Sequence, residues 1–122
     1  MATILVVEDE VLIQMLVVEY LGELGFEVEI AGTADDATIR MRRLGGAVDA
    51  AIVDVGLPDA PDGELVDTLR AAYPALPIVV ASGHSQVALR KRFEAHARIG
   101  FLSKPYSVGD LGGALGAIGI AG

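Results

Sequence analysis

"TILVVEDEVL" at residues 3–12 begins as a buried strand and then breaks, with no turn residue between, into Glu8, Asp9 and Glu10. The uncharged run Thr3, Ile4, Leu5, Val6, Val7 is rich in β-branched residues, which suit a pleated, packed surface. Beyond the acids, Ile13, Leu16, Val17, Tyr20, Leu21 and Leu24 recur at helical spacing until Gly25 supplies a stop. A strand thus hands directly to a helix of about four turns, with three carboxylates at the junction. Such a junction is the first half of a βα unit, and it raises the question of what the acids are for.

The remaining chain repeats the rhythm. Residues 26–30 read as a second strand; Thr33 with Asp36 forms a capping-box pattern opening a helix through Ile39, Met41 and Leu44 to Gly45. Residues 49–53 are a third strand, and 62–72 a helix ended by Tyr73 and Pro74. Residues 77–81 are a fourth strand, 86–97 a helix, and 99–102 a short fifth strand. Ser107 with Asp110 caps a last helix carrying Val108, Leu111, Leu115 and Ile118. Strands that are apolar nearly throughout, each followed by a helix, predict an α/β fold: a five-stranded parallel sheet covered by helices on both faces.

Composition narrows the function. The 122 residues are 52% hydrophobic and 21% charged, enough for one folded domain with one real core. The absence of Cys removes disulfides, thiolate metal sites and a cysteine nucleophile, and suits a reducing compartment. Glu8 interrupts the N-terminal apolar run too early for a signal peptide, and no apolar run approaches the roughly 18 residues of a membrane span. The expected location is the cytoplasm. A net charge of -8 disfavours direct binding to nucleic acid or anionic membrane and favours metal ions and basic partners.

In open parallel sheets, function sits where strands end at their carboxyl edge. Those ends are, in order, Glu8 and Asp9, then Asp54, Ser82 and Lys104. Three carboxylates gathered there repel by about 4 kcal/mol per pair at ~4 Å and an effective dielectric of ~20. A lysine and a divalent cation offset that cost. With neither Cys nor His among these ends, oxygen coordination favours Mg2+.

The segments "LVVEDE", "AIVDVGLPD", "VVASG" and "FLSKP", in this order and at these intervals, resemble the receiver domain of two-component response regulators over nearly the whole chain. The resemblance implies a flavodoxin-like, doubly wound (βα)5 fold and a single receiver domain over 1–122 with no output domain. It implies a phosphoacceptor that catalyses only its own phosphotransfer and dephosphorylation rather than a conventional enzyme. Asp54 becomes the residue that accepts a phosphoryl group from a histidine kinase or histidine phosphotransfer protein. Asp9 binds Mg2+ directly, Glu8 through water, and the Gly56 carbonyl completes the protein ligands. Ser82 and Lys104 contact phosphoryl oxygens, Ser82 and Phe101 couple the site to the last helices, and the Lys104–Pro105 peptide is expected to be cis. An unidentified downstream protein receives the signal. The competing reading is a receiver-shaped scaffold or dimerisation module that is never phosphorylated.

Several features depart from the family pattern. "LPDAPDG" carries one residue more than the family's usual turn after the acceptor. His84, two residues past Ser82, is a rim position with potential control over water attack. Val11, Leu12, Met15 and Val18 form a second apolar set on the outer side of the first helix, suited to docking a helical bundle. Gly109, Gly112, Gly113, Gly116 and Gly119 each cost the last helix up to about 1 kcal/mol relative to Ala, so it is expected to be marginal alone, or to make a close contact such as a homodimer. Arg90, Lys91, Arg92 and Arg98 form a basic patch read chiefly as a solvated face. Two rivals fail on residues: a flavodoxin-like cofactor binder needs a Ser/Thr/Gly-rich loop where Glu8 and Asp9 stand, and an aspartate phosphatase needs a second Asp where Gly56 stands.

Overall fold

A computed structural model describes residues 2–83 and 86–120. The elements are β1 (Thr3–Val7), α1 (Val11–Glu23), β2 (Glu27–Ala31), α2 (Ala34–Arg43), β3 (Ala50–Asp54), α3 (Glu64–Ala72), β4 (Ile78–Ser82), α4 (Gln86–Arg92), β5 (Ile99–Ser103) and α5 (Val108–Ala117). The strands form one parallel sheet in the order β2-β1-β3-β4-β5. Alternation along each strand divides the core in two. Leu5, Val7, Ala51, Val53, Ile78 and Val80 pack under α2, α3 and Phe93, whereas Ile4, Val6, Ala50, Ile52, Val79 and Ala81 pack under α1 and α5. Because the order reverses between β1 and β3, the two strands that carry the acids lie side by side at the switch point.

Three strands run one residue later than their apolar patterns predict: β2, β3 and β4 end at Ala31, Asp54 and Ser82. The cause is hydrogen bonding beyond the last apolar residue. Val55 N–H reaches the Ala81 carbonyl at 3.1 Å and Lys104 N–H the Ser82 carbonyl at 2.9 Å, so the ladder holds Asp54 and Ser82 inside the sheet.

Two helices are shorter than expected. α3 does not begin at Asp62, because Asp62 (φ 59°) and Gly63 (φ 72°) are both left-handed and a 3-10 turn at Pro61–Gly63 precedes the helix. Gly63 is required there: a Cβ would stand 2.7 Å from the Phe93 ring. α4 stops at Arg92 instead of running to residue 97. Phe93 is fully buried, and Glu94 N–H and His96 N–H bond three residues back, tightening the chain into turns. Leu16 and Ile39, read as inward-facing, are exposed. α1 is apolar nearly all round, so spacing alone does not say which stripe is buried.

The basic residues around α4 are mostly engaged. Arg90 lies over the Phe101 ring at 4.8 Å, Arg92 pairs with Asp67 and covers the Phe93 ring at 4.5 Å, and Arg98 bonds the Ile118 carbonyl at 3.1 Å. α5 forms despite its glycines. Ser107 and Asp110 make the reciprocal capping box, and Leu111 and Leu115 are fully buried. Close approach belongs to the strand beneath, where a Cβ on Gly100 would meet the Ala114 carbonyl oxygen at 3.3 Å, while Gly113 and Gly116 face open space. Gly113→Ala is therefore expected to stabilise the protein by about 0.5–1 kcal/mol and Gly100→Ala to destabilise it, checked by urea unfolding of each variant.

Candidate functional site

The sheet's carboxyl edge gathers residues from β1, β3, β4 and the segment after β5 into one small cavity. Its lining includes Asp9, Asp54, Gly56, Ser82 and Lys104. Glu8 follows the last β1 residue, its N–H still bonded to the Ala31 carbonyl, and this tether turns its side chain inward. Asp9, one step further, is exposed, whereas Glu8, Asp54 and Ser82 are buried. Each of Glu8, Asp9 and Asp54 offers a carboxylate oxygen, and these atoms lie within 4.8 Å of one another.

Lys104 offsets that crowding. Its ammonium stands 2.9 Å from Glu8 Oε1 and 3.0 Å from Asp54 Oδ2, bridging two strand ends. Each acid has a second support from the backbone. Glu8 Oε2 accepts the Glu10 N–H at 3.0 Å, and Asp54 Oδ1 accepts the Gly56 N–H at 2.9 Å. Burial pushes the Glu8 carboxyl above its ordinary value, against the opposing pull of Lys104 and the Glu10 amide. Burial pulls the Lys104 ammonium down, but its hydrogen bonds to Glu8 and Asp54 outweigh this and hold it above its ordinary value. Lys104 is therefore charged at neutral pH.

The donor set suits a hard divalent cation. Among the described residues three carboxylates converge with no sulfur or imidazole ligand in the cluster, and Asp9 leaves its oxygens open toward solvent. Glu8 and Asp54 are each turned toward Lys104 and a backbone amide, which leaves Asp9 as the acid open to solvent.

All residues expected at the site are brought together except Phe101 and His84. Phe101 is half-buried beneath Arg90; it pairs in register with Val80, two positions before the Ser82–Ser103 pair. It therefore touches the site only through the sheet. A second bond, Gln86 Nε2 to Ser103 Oγ at 2.6 Å, also ties α4 to β5. His84 lies outside the described residues. The Lys104–Pro105 peptide is cis, as expected.

Two supporting residues escaped the sequence reading. Gln14 Nε2 donates to the Glu8 carbonyl at 2.6 Å, bracing the acidic loop from the first turn of α1. Tyr106, half-buried near the same acids, has its phenol pushed up to about 12, chiefly by desolvation and then by the charge of Glu8. Only its position two residues beyond Lys104 could have pointed to it.

Comparison with known proteins places this geometry. Residues 4–115 match the family described as response regulator receiver domain. The sensor kinase CckA of Brucella abortus is 36% identical over 110 residues, covering 90% of this chain and 12% of that protein. The DNA-binding transcriptional regulator NtrC of Rhizobium meliloti is 29% identical over 115 residues, covering 94% of this chain and 23% of that protein. The chain thus spans less than a quarter of the length of these curated relatives. Among solved structures, the chemotaxis protein CheY4 of Vibrio cholerae superposes with a TM-score of 0.87 at 27% identity, covering 97% of this chain and 98% of that one.

Proposed function

The chain belongs to the response regulator receiver domain family, and from that premise we propose that it takes a phosphoryl group from a phosphohistidine onto Asp54 in two-component signalling. The observation that carries the assignment is the Lys104 bridge between Glu8 and Asp54, with Asp9 beside them at the open edge of the sheet. Asp54 is the acceptor because it ends a central strand, is held by Gly56 N–H and Lys104, and still lines the cavity. Asp9, Asp54 and the Gly56 carbonyl would hold Mg2+, with Glu8 supporting it through water. Bound there, Mg2+ supplies positive charge against the acids and the transferring phosphoryl oxygens.

The protein's own groups then do the positioning. The Asp54 carboxylate forms the new bond to phosphorus as the donor's bond to phosphorus breaks and the donor leaves with that electron pair. Lys104 moves from pairing with the acids to pairing with a phosphoryl oxygen, and Ser82 donates its hydroxyl to another. Ser82 also begins the coupling, through the β4–β5 register, to Phe101 and the Arg90 contact with α4. The role is that of a signalling acceptor whose chemistry is confined to its own loading and unloading. Its upstream partner is a histidine kinase or phosphotransfer protein, and a further protein reads the switched surface.

Incubating the chain with Mg2+ and acetyl phosphate and weighing it intact tests the reading. One added phosphoryl group supports it. An unchanged mass, with no response to beryllofluoride, favours the unphosphorylated scaffold. Among the described residues no helix is long and apolar enough to cross a membrane.

The outer face of α1 is the proposed docking surface for the donor. Val11, Leu12, Met15, Leu16 and Val18 are all exposed, Leu12 most of all at 76%. Of these, Leu16 also lines a groove with Ile13, Val17, Pro105 and Tyr106 that reaches Lys104. Leu12→Glu is expected to slow transfer from a phosphohistidine donor by about 10-fold or more, the effect of losing an interface anchor, while loading from acetyl phosphate is unchanged. Equal slowing with both donors would place Leu12 outside the docking surface.

A further inference from the structure

The start of α2 is held by two side chains from distant parts of the chain. Thr33 Oγ1 accepts the Asp36 N–H at 3.0 Å, the ordinary local cap. Asp59, in the loop between β3 and α3, accepts the Ala34 N–H through Oδ1 at 3.0 Å and the Asp35 N–H through Oδ2 at 3.1 Å. Together Asp59 and Thr33 thus satisfy three amides that α2 leaves unpaired at its start, those of Ala34, Asp35 and Asp36, and the helix's own first bond, Ala37 N–H on the Thr33 carbonyl, follows them. The Asp59 carboxyl, though exposed, is held below its ordinary value by the Ala34 and Asp35 amides. Thr33 alone defines where the helix begins. A second cap reaching across from the loop has a different consequence: it fixes the loop.

Asp59 occupies the third place of a turn over residues 57–60 that is closed by Ala60 N–H on the Leu57 carbonyl at 3.2 Å. Pro58 pre-sets the backbone at the second place, and Leu57 and Ala60 are both buried. This stiff turn starts immediately after Gly56, whose N–H is already bonded to Asp54. The loop leaving the acceptor is therefore anchored at Asp54, at Leu57 and on α2. Beyond the turn lie Asp62 and Gly63, both left-handed, in the stretch that is one residue longer than the family pattern. A tie midway shortens the span that would otherwise move freely.

We propose that Asp59 is a positioning residue for the cation site: its grip on the α2 amides fixes the turn at residues 57–60 and with it the Gly56 carbonyl. The inference rests on the reading of Asp9, Asp54 and Gly56 as Mg2+ ligands, and assigns a part in that site to a residue that touches none of them. It predicts that loosening Asp59 weakens cation binding, whereas loosening the same helix from its own side does not.

The test is an NMR titration of the full chain with MgCl2, following backbone amides, beside a thermal melt. Asp59→Ala is expected to weaken Mg2+ binding about 10-fold, the low end for groups that support metal ligands, and to shift the Gly56 amide before any Mg2+ is added. Thr33→Ala is expected to lower the melting temperature with Mg2+ affinity unchanged. Asp35→Asn, which removes a neighbouring negative charge but keeps the tie, measures the purely electrostatic share. If Asp59→Ala folds poorly, Asp59→Asn, which retains one acceptor oxygen, is expected to give an intermediate loss. The proposal is overturned if Asp59→Ala weakens Mg2+ no more than Asp35→Asn does, or if Thr33→Ala weakens it equally. If the parent chain binds no Mg2+, the assignment of the site itself has failed, and this inference falls with it.

Discussion

Asp54→Asn is expected to remain at its unmodified mass after incubation with Mg2+ and acetyl phosphate, under conditions in which the parent chain gains one phosphoryl group. The amide keeps the carboxylate's size and can still accept the Gly56 N–H, now at 2.9 Å from Asp54 Oδ1. It lacks the anionic oxygen that attacks phosphorus, so loading should fall by at least about 10³-fold, the scale seen when a nucleophile is deleted. Folding should survive. Lys104 keeps Glu8 at 2.9 Å, and one source of repulsion within the acid cluster is gone. A normal melt with no added mass is thus the expected pair of results. Phosphorylation of Asp54→Asn to the parent's extent would move the acceptor elsewhere, with Asp9 the first alternative because it is the exposed acid of the three.

How much of this site the sequence discloses depends on where the information lies along the chain. Acids, a serine and a lysine at successive strand ends are local facts, and the parallel sheet then has only one edge at which they can meet. The position of β1 beside β3 at the switch point brings Asp9 and Asp54 together, and periodicity locates β1 fully and β3 to within one residue. Leu16 and Ile39 show the limit of that signal. α1 presents apolar residues on nearly every side, so which stripe is buried is decided by the sheet and by α5 rather than by spacing. The early ends of α4 and the late start of α3 had the same origin. The buried Phe93 ring demands a glycine at position 63, and that contact joins residues thirty positions apart. Asp59 is the clearest case of a residue opaque to sequence. In "LPDAPDG" it reads as an ordinary turn acid, and only the placement of α2 against the loop turns it into a cap for Ala34 and Asp35.

Replacing Lys104 is expected to have the largest effect on stability. Its ammonium lies about 3 Å from two carboxylates, a gross attraction on the order of 5 kcal/mol for each at an effective dielectric of ~20, much of which desolvation cancels. The partners are nearly closed off from water, with the side chains of Glu8 and Asp54 only 4% and 8% exposed. Lys104→Met preserves the aliphatic stem that packs beside Pro105 and Tyr106 and removes only the charge. It leaves two buried acids without their cation, and should destabilise the protein in chelator by about 3 kcal/mol, the lower end for a broken buried pair. The lower end applies because burial already pushes the Glu8 carboxyl up, so proton uptake by Glu8 relieves part of the strain. Mg2+ should reverse the loss. With the competing ammonium gone, the acids bind the divalent ion more tightly, and binding to the folded state alone adds stability as its concentration rises above Kd. Urea unfolding of parent and Lys104→Met, each with chelator and with MgCl2, measures both effects. The expected pattern is a large gap in chelator that narrows with Mg2+. A gap of equal size in both conditions would mean that Lys104 supports the fold without sharing its acids with a cation, and no gap in chelator would mean that Glu8 and Asp54 do not depend on it.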